Sequence, residues 1–140
     1  MNKKGKFRGM HIHVLEENKH LDNTWAYGYL CGKGDYIETE EGIEKLIDSD
    51  TAGQYIGMTD KNGKEIYEGD IVIIRDGQLD EEDGFFVIKY DEGTARFVLN
   101  GDSLEYDFDS IDQKKCEITG NIYENSELLD LDFLKERIKR

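Results

Sequence analysis

The sequence predicts a mainly β fold of the α+β class, with an N-terminal β lobe, a small β-barrel and a C-terminal α-helix. Three observations carry this. Short apolar runs alternate with polar residues at period two, the spacing that sends successive side chains to opposite faces of a strand. Turn signals separate these runs, notably Asn62-Gly63, Asp91-Glu92-Gly93 and Asn100-Gly101. Near the end the period changes: Leu128, Leu131, Leu134 and Ile138 recur at the spacing of one helix face.

The chain opens on basic residues. Met10 to Leu15 then alternates, with Ile12 and Val14 on one face of a strand and His11, His13 and Leu15 on the other. Glu16 to Lys19 reads as a turn. Trp25 to Cys31 is an aromatic-rich strand closed by Gly32-Lys33-Gly34-Asp35, and Tyr36 to Glu38 is a short extended piece. Glu40 to Asp48 fits two states. Ile43, Leu46 and Ile47 have helical spacing behind a Thr39 cap, yet Gly42 weakens a helix and the length also suits a strand. Asp48-Ser49-Asp50 reads as a loop. It marks the boundary between an N-terminal lobe, residues 1–50, and a C-terminal region, residues 51–140.

The C-terminal region is organised around Gln54 to Arg75. Asn62-Gly63 suits a type I′ turn because both residues tolerate positive φ, so Lys64–Tyr67 runs back against Gln54–Thr59. Glu68-Gly69-Asp70 turns the chain into Ile71-Val72-Ile73-Ile74, which is apolar on both faces. Such a strand is buried on both sides or belongs to a closed barrel. Asp76 to Gly84 is a solvated acidic loop. Phe85–Tyr90, Ala95–Leu99, Leu104–Asp109 and Cys116–Ile122 supply further strands, with Ala95, Phe97 and Leu99 on one face. Short strands at this spacing suit a small barrel of Src-homology-3-like form. Its expected core includes Ile66, Ile71, Ile73, Phe86, Ile88, Phe97, Tyr106 and Ile118. Asn125 caps a helix from about Ser126 to Ile138. Glu127 near its start and Lys135, Arg137, Lys139 and Arg140 near its end suit the helix dipole.

Gln54-Tyr55-x-Gly57 followed by Asp60-Lys61-Asn62-Gly63-Lys64-x-Ile66-Tyr67-Glu68-Gly69-Asp70-Ile71-Val72 resembles the signature of the YopX protein family, small proteins of bacteriophages and prophages. Gly120 to Leu129 resembles the family's closing motif, and Lys6-Phe7-Arg8 its opening. The sequence departs at Ile56, where the family usually has Thr, at Gly9-Met10, where it has Trp, and at Ser126, where it has Pro. The resemblance implies a fold and a phage context, hence the cytoplasm of a bacterial host. It carries over no catalytic or binding residue.

The formal net charge is −14. Such a chain repels nucleic acid and anionic membranes unless a basic patch is segregated, so neither is an expected partner. Lys3, Lys4, Lys6 and Arg8 form one short basic run, and Lys135, Arg137, Lys139 and Arg140 another; both read as solubilising termini. Cys31 and Cys116 lack any metal-ligand spacing and read as reduced thiols of a cytosolic protein. The longest apolar runs are too short to span a membrane.

No catalytic, cofactor or metal set is assigned. His11-x-His13 has the spacing of two metal ligands but no fixed third, so two surface histidines are the plainer reading. Glu68 and Asp70 flank a turn, where Asp70 is expected to accept from local backbone amides. Between Asp76 and Asp112 twelve acids face only Lys89 and Arg96. Within that stretch Glu105, Asp107 and Asp109 form a charged row on one strand face, which either keeps an edge from pairing or captures a basic protein. On the C-terminal helix Leu129 and Phe133 flank the main stripe and widen its apolar arc. This predicts a homo-oligomer through that helix, unless both sides pack within one chain. The function expected is a non-enzymatic interaction or assembly module. The alternatives are an acidic decoy for a basic, DNA-acting protein, and a small enzyme with an unrecognised site.

Overall fold

The computed structural model describes residues 6–13, 17, 24–74, 85–101, 105–107 and 115–129. These residues are mainly β: ten strands in two antiparallel sheets, and one helical turn at residues 127–129. The chain divides into two compact units, Met1–Tyr55 and Ile56–Arg140.

The first unit holds β1 (Lys6–His11), β2 (Trp25–Cys31), β3 (Tyr36–Glu38) and most of β4 (Glu44–Thr59). Each pairs with the next, and β4 also pairs with β1, so the ladder returns to its first strand. The spans of β2 and β3 coincide with those predicted. β1 lies earlier than Met10–Leu15, and Ile12 is exposed beyond its end. Residues 40–48 form no helix. Gly42 N–H donates to the Thr39 carbonyl at 2.9 Å and Thr39 N–H to the Ile43 carbonyl at 2.9 Å, closing a hairpin turn into β4. Thr39 caps that turn instead, its Oγ1 accepting from Ile43 N–H at 3.3 Å.

Asp48-Ser49-Asp50, expected as a loop, lies inside β4 as part of a bulge. The register against β1 jumps there, from Met10↔Asp48 to Arg8↔Gly53. A bulge leaves backbone groups without ladder partners, and Thr51 replaces one. Its Oγ1 accepts from Met10 N–H at 2.8 Å and donates to the Asp48 carbonyl at 2.6 Å. The polar run that reads as a loop is thus the side-chain chemistry of an irregular strand.

The core of this unit is small: Ala26, Ile37 and Ile47, flanked by Phe7, Leu30 and Ala52. Closure of the ladder around so little volume brings backbones close. A Cβ at Gly28 would meet the carbonyl oxygen of Glu38 on the neighbouring strand, so the position requires glycine.

In the second unit β5 (Glu65–Tyr67) pairs with the end of β4. A second sheet follows in the order β10-β6-β7-β8-β9, comprising β6 (Asp70–Ile74), β7 (Phe85–Asp91), β8 (Arg96–Asn100), β9 (Glu105–Asp107) and β10 (Cys116–Asn121). The registers place Val72, Ile74, Phe86, Ile88, Leu99 and Cys116 on one face, where they form a core with Ile66. Ile71, Ile73, Val87 and Val98 lie on the other face and are buried as well. This is the burial on two sides that the unbroken apolar run of β6 predicts. Of the remaining expected core residues, Phe97 and Ile118 are half-buried, and the Tyr106 side chain lies outside the described residues.

Two local expectations are corrected. The β4–β5 turn is not type I′, because Gly63 has positive φ (81°) and Asn62 does not. Gly63 N–H donates to the Asp60 carbonyl at 3.0 Å, and the Asp60 carboxylate accepts from Asn62 N–H at 2.8 Å and Lys64 N–H at 3.0 Å. The aspartate closes the turn one residue earlier than the Asn-Gly pair alone suggests. Ala95 does not begin β8; it sits at φ 55° in the turn before it. The predicted helix to Ile138 lies, beyond residue 129, outside the described residues.

Candidate functional site

The residues that dominate the Gln54–Val72 and Gly120–Leu129 blocks are occupied in building the second unit. Asp60 is 3% exposed, and its carboxylate takes three backbone N–H donors, those of Asn62, Lys64 and Ile118. Asp70 is 2% exposed and its Oδ2 accepts from Tyr67 N–H at 2.7 Å, which ties the turn before β6. Asn121 Oδ1 accepts from Tyr123 and Glu124 N–H, and its Nδ2 donates to Glu124 Oε1 at 2.9 Å. Asn125 Oδ1 accepts from Asn121 N–H at 3.1 Å. A buried carboxylate filled by amide donors is held as an acceptor and positions loops. Asp70 therefore has the role expected of it.

The thiols are equally constrained. Both cysteines are free. Cys116 is buried, and desolvation first, then Asp60 and Asp70, push its pKa up to about 12. Cys31 is also raised, by partial burial first and then by Glu44, Glu38 and Asp35. Neither is a ready thiolate near neutral pH. His11 and His13 lie with ring centroids 3.8 Å apart. Among the described residues no group of three His, Cys, Asp or Glu is placed to hold a metal ion.

Of the predicted interaction residues, Glu105 and Asp107 belong to β9, and the Glu105 side chain lies outside the described residues. Asp107 does not stand alone: Arg96 Nη2 on β8 lies 2.9 Å from its Oδ1. Leu129 is half-buried at the helical turn, and its N–H donates to the Ser126 carbonyl at 3.1 Å. Asp109 and Phe133 lie outside the described residues.

A concave feature among the described residues of the first unit is built from residues that the sequence did not single out. A cleft of about 370 Å³ is lined by Lys6, Tyr27, Tyr29, Glu40, Glu41 and Lys45, among others. Strand alternation makes its floor: Trp25, Tyr27 and Tyr29 project to one side of β2, while Ala26 turns into the core. The antiparallel register sets Met10, Arg8 and Lys6 beside those three rings in turn. The Arg8 guanidinium lies 4.5 Å from the Trp25 ring centroid and is almost wholly buried there. Lys6 Nζ lies 6.0 Å from the centroid of Tyr55. Tyr27 and Tyr29 remain 44% and 50% exposed, and Tyr36 on β3 is exposed on the same side. The signal was present in the sequence as Trp-x-Tyr-x-Tyr opposite Lys-x-Arg, but only the β1–β2 register joins its halves.

The units also differ in charge. The first holds seven Lys and Arg against ten Asp and Glu, the second eleven against twenty-two. No helix among the described residues is long and apolar enough to cross a membrane. The family model described as YopX protein matches residues 4–130 of the 140. No curated protein matches the chain.

Proposed function

The chain belongs to the YopX protein family, and we propose that it is a phage-encoded, non-enzymatic interaction or assembly module of the bacterial cytoplasm. The observation that supports this is the use of the family blocks. Asp60, Asp70 and Asn121 are buried and engaged by backbone amides, so they serve the scaffold. A scaffold of this kind presents its variable chemistry on the surface. The order β10-β6-β7-β8-β9, a meander whose final strand returns beside its first, is read as the arrangement of a small Src-homology-3-like barrel.

Assembly through the C-terminal segment is part of this proposal, with Leu129 and Phe133 in the contact. Light scattering on the wild type and on the Leu129→Ser, Phe133→Ser pair tests it. A wild-type oligomer that falls to monomer in the folded variant is expected. A monomeric wild type, or an oligomer of unaltered mass in the variant, overturns it.

The acid excess of the second unit favours a second reading, an acidic decoy for a basic protein. Replacing Glu105, Asp107 and Asp109 with Gln or Asn is then expected to weaken capture of a basic partner and flatten its salt dependence. Equal capture by the triple variant sinks the decoy.

A further inference from the structure

We infer that the Tyr27–Tyr29 face of the first unit binds single-stranded nucleic acid, stacking bases on the tyrosine rings and setting phosphates against Lys6 and Lys45. This goes beyond the assembly reading and stands on a different unit.

The net charge of the whole chain argues against such a ligand, but it averages over two unlike units. Eleven of the fourteen excess negative charges belong to residues 56–140. Residues 1–8 carry Lys3, Lys4, Lys6 and Arg8 and no acid. The structure places the last two on β1 beside the aromatic row of β2. Charge repulsion is local, within about a Debye length of 8–10 Å, so the field at the cleft is set mainly by its own cations and acids.

The rings are suited to stacking. Tyr27 and Tyr29 are among the most exposed large hydrophobic residues of the described chain. They sit two residues apart on one strand face, about 6.6 Å along β2. A π-face accepts any base, and such stacking is the usual sequence-tolerant term in single-strand recognition. Arg8, stacked on Trp25, adds fixed positive charge under the row. Lys6, beside Tyr29 in the register, and Lys45 also line the cleft.

Glu40 and Glu41 at the β3–β4 turn also line the cleft, and Glu38 lies beside Tyr29 in the β2–β3 register. Carboxylates there oppose the dense phosphates of a duplex, yet they accept hydrogen bonds from exocyclic amino groups such as cytosine N4. They therefore favour an unpaired strand that turns its base edges toward them. An acidic polypeptide would use the lysines but gain nothing from the row of rings.

The chain's single tryptophan, Trp25, lines this cleft and reports directly on it. The test titrates the full chain with oligodeoxycytidine of about twelve nucleotides, near the upper range of single-strand site sizes. Trp25 fluorescence and the anisotropy of a labelled oligonucleotide are followed across salt concentrations. The inference expects quenching on binding and a log–log salt slope of about −1.4 for two phosphate contacts, reduced by about 0.7 in Lys6→Gln. Tyr27→Ala and Tyr29→Ala should each weaken binding at least about fivefold, while Tyr27→Phe and Tyr29→Phe retain it. No binding at low salt overturns the inference. So does undiminished binding in a folded double alanine variant, tighter binding of the matching duplex, or equal binding of poly-glutamate. Should the alanine variants fail to fold, the Lys6→Gln slope decides, and an unchanged slope overturns the proposal. An oligomer that binds no oligonucleotide would end this inference and leave the assembly reading intact.

Discussion

Asp60 and Ile118 stand 58 residues apart in the chain and are joined by a hydrogen bond, Ile118 N–H donating to Asp60 Oδ2 at 3.0 Å. The same carboxylate closes the β4–β5 turn with its other oxygen. One side chain thereby clamps a hairpin to the final strand. A second backbone bond, Lys61 N–H to the Cys116 carbonyl at 2.9 Å, runs alongside. Asp60→Ala removes the acceptor of three part-buried N–H groups and should cost about 2 kcal/mol in urea unfolding. Asp60→Asn keeps one acceptor but turns a donor toward one of those N–H groups, and should cost roughly half as much. A loss below about 1 kcal/mol in the alanine variant would contradict the clamp.

Gly28→Ala is expected to disrupt the first unit. Its Cβ would press on the Glu38 carbonyl, a backbone atom that cannot swing aside. Either β2 and β3 separate or the strand shifts, at a cost of about 2–4 kcal/mol. Hydrogen exchange reads the outcome. Amides of β2 and β3 should lose protection while those of β6 and β7, in the other unit, keep it.

Cys116 gives the protein an alkaline limit. Its folded pKa of about 12 stands above the ordinary 9.0. The native state therefore keeps a proton that the unfolded chain has lost. This contribution is fully present below about pH 9 and declines as pH rises toward 12, with a slope of at most about 1.4 kcal/mol per pH unit. In Cys116→Ala that part of the decline should be absent. At neutral pH a thiol reagent should modify Cys31 first and reach Cys116 at a rate set by opening or unfolding.

Ala95→Gly should stabilise the protein slightly. A left-handed alanine costs about 1–2 kcal/mol, and glycine returns about 0.5–1 kcal/mol of that through its greater freedom in the unfolded chain. The expected net gain is about 0.5 kcal/mol, seen as a small rise in melting temperature. A loss of stability would show that the alanine methyl makes a contact worth more than the strain.

By itself the sequence determined the mainly β class and the extents of β2 and β3, because period-two alternation and glycine-bearing turns are local signals. It also determined that β6 is buried on both faces, since four consecutive apolar residues leave no wet side. The left-handed turn at Ala95 was not legible, because alanine carries no turn signal. Nor was the bulge in β4: its polar run Asp-Ser-Asp-Thr is locally identical to a loop, and only pairing with β1 makes it a strand.

The chemistry of Asp60 and of the cleft was decided by tertiary structure alone. Asp60 reads as a turn residue until Ile118 is brought to its second oxygen. Tyr27 and Tyr29 read as strand residues until the β1–β2 register sets Lys6 and Arg8 beside them. Side chains on one strand report their own alternation, but which residues lie across from them is a matter of register. Register is set by closing the ladder around a core, which no single segment encodes.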